Sequence, residues 1–247
     1  MAEYGAEFHN AAGLVQMNSS EFNFALRSKG TLSGWVPDPA WGSGTATYKT
    51  YLTVQGGAPI IALHGDEYAS VQSATFDGTD WVFYIIAPYT VTSTTIEWFC
   101  FDLAANVTTT DDYGIELRNA SNQVTFRIGQ NPIRGIEFIS LPNPSSVPGS
   151  DYDAYETVAV PSGRKYAIFQ CGLFQMHEVL WVNAAEEFGF ANYRISDVIQ
   201  AGKVSTTTAT FNILWLYVHY EIMVDTTISS RDMSGSLQWM LIDVTNF

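Results

Sequence analysis

The sequence predicts an all-β protein made of two tandem β-sandwich units, jelly-roll or fibronectin-like, related by internal duplication. Aromatic residues form 14% of its 247 residues, and together with frequent Thr and Val they favour strands. Short apolar runs with alternating pattern are bounded by Gly, Pro, Asn or Asp, as in strands and turns. The third observation is an opening motif that occurs twice.

The repeat begins with residues 4–15, which align with residues 113–124 and share Tyr, Gly, Glu, Asn, Ala and Val in register. Further along, residues 48–50 align with residues 155–157, and residues 56–65 align with residues 163–172. Both halves also end in a Trp-x-x-x-Asp pattern. The repeat predicts a first unit at residues 1–106 and a second, longer unit at residues 107–247, with an insertion within residues 183–205.

Each opening motif is typical of a tight β-hairpin. Two short alternating runs flank a four-residue loop that ends in Gly or Asn, the residues that best tolerate positive φ. The motif positions are Tyr4, Gly5, Asn10 and Gly13 in the first copy and Tyr113, Gly114, Asn119 and Asn122 in the second.

Other strands are predicted at residues 81–87, 94–103, 166–173, 177–182 and 208–223. One helical turn is predicted at residues 195–200, with Ser196 as its cap.

Charge and composition exclude several classes of partner. The net charge of −14 makes a nucleic-acid surface or an anionic membrane surface improbable, because both need clustered Lys and Arg. No apolar run is long enough for a membrane span, and no signal peptide is expected at the N-terminus. Cys100 and Cys171 lie inside apolar runs, so both are expected to be buried free thiols.

The sequence has no motif for phosphate binding, metalloprotease or serine hydrolase chemistry, or a thiol pair, and its four histidines are scattered. We therefore predict no catalytic residue, no metal and no cofactor. Adjacent acids such as Glu186 and Glu187 fit a solvated loop better than a pair of glycosidase carboxylates. The segment at residues 77–80 fits either a faint cation loop or a turn.

Residues 34–44 form the candidate functional loop, because they place Trp35 and Trp41 among Pro and Gly. Two readings stay open. The indoles can stack on a sugar or anchor a neighbouring protein, or they can fold back onto the end of the sandwich.

The repeated opening motif resembles the first hairpin of a group of small virion proteins from tailed bacteriophages. The stretch at residues 163–167 and the closing Trp-x-x-x-Asp strand are also similar to that group. The resemblance implies a part attached to the phage tail in several copies, and its motifs are structural, with no catalytic residue to carry over.

The expected function is therefore non-enzymatic: a structural component of the tail tip, baseplate or fibre region, assembled in the host cytoplasm. Its expected partners are other tail proteins, copies of itself and a host surface glycan or receptor. The alternatives are a carbohydrate-binding receptor-recognition module that uses Trp35 and Trp41, and a capsid decoration protein.

Overall fold

A computed structural model describes residues 7–9, 15–18, 23–37, 47–88, 96–108, 115–140, 156–171, 174–185, 190–205, 207–223, 230–235 and 238–247. Most of these residues lie in strands. In chain order the strands are β1 (Glu7–His9), β2 (Val15–Asn18), β3 (Phe24–Thr31), β4 (Val36–Pro37), β5 (Thr47–Val54), β6 (Ile60–Phe76), β7 (Trp81–Pro88), β8 (Glu97–Leu103), β9 (Glu116–Arg118), β10 (Val124–Arg127), β11 (Gly135–Ser140), β12 (Glu156–Ala159), β13 (Tyr166–Gln170), β14 (Phe174–Ala185), β15 (Phe190–Val204), β16 (Thr208–Met223), β17 (Ser230–Gly235) and β18 (Gln238–Asp243).

The all-β prediction is confirmed, since the described helical structure is a single 3₁₀ turn at Ala104–Asn106. The predicted helical turn at residues 195–200 is wrong, because that segment belongs to β15. β15 pairs with both β14 and β16 along most of its length, and these ladder hydrogen bonds outweigh a weak local helical preference. No described helix is long and apolar enough to cross a lipid bilayer.

The central sheet has six antiparallel strands in the order β3-β8-β6-β13-β18-β11. Its two ends meet. Residues 131–133, just before β11, run beside β3: the Leu26 N–H donates to the Asn131 carbonyl and the Ile133 N–H to the Phe24 carbonyl. The sheet therefore curls and closes on itself. As a result, the stretches of its edge strands that lack backbone hydrogen bonds to a neighbouring strand are short.

Two further sheets extend from the central one. On one side β4, β5, β7 and the end of β6 pair in that order. On the other, β12, β16, β15, β14 and β17 pair in that order, and β15 also bonds to the middle of β6. The 17-residue strand β6 thus joins all three sheets.

Alternate residues of the central strands face different cores, as the period of two in a strand requires. One face lines the inside of the closed sheet, with Phe99, Phe101, Ala167 and Ile242 almost fully buried. The other face of β8 packs on the β4-β5-β7 sheet. The other face of β13 and β18 packs on Val204, Ala209 and Phe211.

One burial prediction is wrong. Cys100 is a buried free thiol, as expected, whereas Cys171 is an exposed free thiol. Cys171 follows the last residue of β13, where the sheet no longer covers it.

Candidate functional site

Trp35 is only partly exposed and packs against the core beneath β5 and β8. Its indole N–H is buried and has no hydrogen-bond partner among the described residues. This indole therefore packs on the core, as the second of the two readings of the loop expects for it. Trp41 and the rest of the loop beyond residue 37 lie outside the described residues.

The two opening motifs form hairpins of matching register. Glu7 pairs with Asn18 in β1-β2, and Glu116 pairs with Arg127 in β9-β10. Each hairpin then has a register shift at the matching position. In the first hairpin the shift lies between Phe8 and His9, and in the second it lies just before Arg118. Tyr4, Gly5, Asn10, Gly13, Tyr113 and Gly114 lie outside the described residues.

The loop of the second hairpin satisfies its own polar groups. The Asn119 side-chain oxygen accepts the backbone N–H groups of Ser121 at 3.0 Å and Gln123 at 2.9 Å. Asn122 has a φ of 62°, in the left-handed region that Asn tolerates better than most residues. Asn119 and Asn122 therefore shape the turn.

The proposed cation loop at residues 77–80 is a turn. The Asp77 carboxylate accepts the N–H groups of Thr79 at 2.9 Å and Asp80 at 2.8 Å, and these bonds lower the pKa of Asp77. No group of three or more His, Cys, Asp or Glu side chains suited to a metal occurs in the described part of the chain. Glu186 and Glu187 lie outside it.

Two buried aspartates at the ends of β8 and β18 hold loops in place. Asp102 accepts the N–H groups of Gly57 at 2.9 Å and Ala58 at 3.0 Å. Asp243 accepts the Thr245 N–H at 2.9 Å and hydroxyl at 2.6 Å. Burial by itself raises the pKa of Asp243, but these bonds and one from Arg164 hold the pKa below its ordinary value of 3.8.

A polar cavity of about 330 Å³ lies beside Arg27, the residue whose guanidinium faces Asp102. β3, β5 and β8 contribute to its wall, together with the segment that follows the 3₁₀ turn. Its lining residues are Arg27, Ser28, Thr53, Val54, Gln55, Trp98, Val107 and Thr108.

A β-bulge brings two consecutive residues of β3 to this cavity. Leu26 pairs with Phe101 and Ser28 with Cys100, so Arg27 is the extra residue between them. A bulge redirects the side chain of its extra residue. The Arg27 guanidinium donates to the Asn106 carbonyl at 2.6 Å and lies 3.6 Å from the Asp102 carboxylate.

Trp98 supplies the aromatic wall of the cavity. It pairs with Gly30 across the two strands, and a Cβ added at Gly30 would lie 2.8 Å from the indole Cζ2. Any side chain at this position would therefore displace the indole. The absence of a Cβ at Gly30 lets Trp98 lie across the neighbouring strand.

The corresponding place beside β11 and β18 is filled. There Trp239 pairs with Ile139 rather than glycine. Trp239 is 1% exposed and its ring packs on Phe211, with the centroids 5.2 Å apart. The register shift in β11 brings Ile136 to the position that Arg27 has in β3.

Large apolar side chains are exposed on β11, the last strand of the central sheet. Phe138 is 58% exposed and Ile136 is 37% exposed. Next to the second hairpin, Ile115 and Ile128 are also exposed, and the Ile128 N–H donates to the Ile115 carbonyl. Ile115 and Ile128 thus lie next to each other, and contiguous exposed apolar side chains are typical of contact surfaces.

The cavity was not predicted from the sequence. Arg27 is a single basic residue in an otherwise mixed strand, and Trp98 reads as a core residue, so neither carries a motif. A signal existed only in the register that opposes Gly30 to Trp98.

No protein-family model matches the chain, and no curated protein or solved structure matches it either.

Proposed function

We propose that the chain is a non-enzymatic structural component of a bacteriophage virion, in the tail tip, baseplate or fibre region. It acts through contacts with other tail proteins and with copies of itself. The observation that supports contact function is the exposed pair Phe138 and Ile136 on β11. Burying a large apolar side chain contributes about 1.5–3 kcal/mol, so each of these two side chains can anchor a neighbour.

The internal duplication is part of the same proposal. β8 lies between β3 and β6, and β18 lies between β11 and β13, so the central sheet repeats one order of three strands from each half. The hairpins have the same register, and a bulge occurs at the matching place in β3 and β11. Each set of three strands then packs its outer face on a further sheet, as two sandwich units would.

The location can be tested with an antibody raised against the recombinant chain. Gold-labelled antibody should decorate the tail of the phage particles that encode the chain, and peptides of the chain should occur in purified virions. Label spread over the head would instead support a capsid decoration protein. Absence of the peptides from virions would overturn the structural role.

The contact surface can be tested separately. The double variant Ile136→Thr, Phe138→Ser should keep the melting temperature of the wild type yet fail to enter particles when it is supplied in trans. Tyr51→Ser is the matched control, because Tyr51 is 59% exposed on another strand. Equal incorporation of both variants would exclude β11 as the docking strand.

A further inference from the structure

The cavity between β3, β5 and β8 has the chemistry of a small-molecule site. Its volume of about 330 Å³ lies at the lower end of the range of about 300–1,000 Å³ that ligand sites occupy. Most of its lining residues carry hydrogen-bonding side chains, and one is a tryptophan. We propose that this cavity binds one neutral sugar ring, with Trp98 as the apolar platform and polar groups of the wall as hydrogen-bonding partners.

A sugar ring fits this combination of groups because it has an apolar C–H face and a rim of hydroxyls. The indole of Trp98 can cover the C–H face. The side chains of Ser28, Thr53, Gln55 and Thr108 each donate and accept hydrogen bonds, as sugar hydroxyls do. Gln55, Thr53 and Thr108 are exposed to solvent, so a ligand can reach them.

The charge distribution favours a neutral ring over an anionic one. The positive charge of Arg27 is already opposed by the Asp102 carboxylate at 3.6 Å, and the chain as a whole carries −14. Arg27 still has hydrogen-bonding capacity, because its Nε and Nη2 have no partner among the described residues. It therefore serves as a donor to a hydroxyl.

In the other half of the molecule, core side chains occupy the place that corresponds to the cavity. Where β3 has Gly30 opposite Trp98, β11 has Ile139 opposite the fully buried Trp239. The first half thus keeps its tryptophan partly exposed and adds Arg27, whereas the second half uses the same place as core. This inference concerns a ligand site and stands independently of the virion role.

The test uses the purified chain with glucose, galactose, mannose and N-acetylglucosamine as probes, followed by saturation-transfer NMR and calorimetry. A small open site should bind at least one of them with a dissociation constant on the order of 1–10 mM. Glucuronate, an anionic ring of the same shape, should bind at least threefold more weakly than glucose. The proposal would be overturned if no neutral probe bound at about 50 mM, which is roughly five times the upper expected constant. Tighter binding of glucuronate than of glucose would overturn it as well.

Variants locate the site. Trp98→Ala should weaken binding at least tenfold, while Phe76→Ala, which removes a half-exposed aromatic ring outside the cavity, should leave it within twofold. If Trp98→Ala does not fold, the double variant Gln55→Ala, Thr108→Ala decides, with an expected loss of at least threefold. Binding that survives these cavity variants but is lost in Trp35→Ala would overturn this site in favour of the tryptophan loop.

Discussion

The substitution Asp102→Asn should destabilise the folded protein by about 3–5 kcal/mol, because it orphans at least one buried donor and removes the charge that strengthens the other hydrogen bonds to this side chain. The Asp102 side chain is fully buried and lies 3.6 Å from the Arg27 guanidinium. It also accepts the backbone N–H of Leu103 at 2.7 Å and the Asn106 amide at 3.1 Å. The asparagine NH₂ group cannot accept a hydrogen bond, so it would face at least one N–H donor that loses its partner.

The magnitude follows from the contacts. A buried donor without a partner costs about 1–3 kcal/mol, and the lost charge leaves Arg27 without its counter-ion. The loop that contains Gly56 and Gly57 lies directly against the carboxylate, since a Cβ at Gly56 would lie 2.5 Å from the Asp102 oxygen. For a chain of this size about 3–5 kcal/mol corresponds to a fall in melting temperature of about 6–20 °C.

The measurement is urea unfolding followed by tryptophan fluorescence, with calorimetry for the melting temperature. Asp66→Asn is the matched control, because Asp66 is exposed and the same change there should stay within about 0.5 kcal/mol. If Asp102→Asn were as stable as this control, the carboxylate would not be holding the loop, and the reasoning from its hydrogen bonds would fail.

Three further predictions follow from buried groups. At pH 8 a thiol reagent should modify Cys171 alone: its residue is exposed, although partial burial of the thiol raises its pKa, whereas Cys100 is buried and its pKa is raised to about 11; two fast-reacting thiols in the native protein would contradict this. The lowered pKa of Asp243 means that its contribution to stability is present at neutral pH and lost as the pH falls below its ordinary 3.8. Unfolding free energies measured from pH 7 to pH 2 should therefore fall less steeply below about pH 4 in Asp243→Asn than in the wild type. Gly202→Ala should cost about 1–3 kcal/mol by overpacking, since the new Cβ would lie 2.5 Å from Ile168 Cδ1; unchanged urea stability would refute it.

Local patterns predicted the strands well. The prediction at residues 208–223 coincides with β16, and the one at 81–87 misses β7 by a single residue. The hairpins of the repeated motif were also predicted, and Asn122 has the positive φ that its position requires. These features depend on alternation and turn residues within a few positions of one another.

The failures involve partners distant in sequence. The helical turn at residues 195–200 was wrong because β14 and β16 flank this segment. The exposure of Cys171 depends on where the neighbouring strands of the sheet end, which its own apolar surroundings do not reveal. The packing of Trp35 on the core, which the sequence left open, also depends on contacts with β5 and β8.

The sequence by itself determined that the chain is a strand-rich protein with a doubled opening hairpin, because turn residues and alternation act locally. Only the tertiary structure decided that the central sheet closes on itself through residues 131–133. It also decided that Gly30 pairs with Trp98, close to the β-bulge whose extra residue is Arg27. Register and closure join residues about 70 to 110 positions apart, and no local preference specifies which of many pairings buries the most surface.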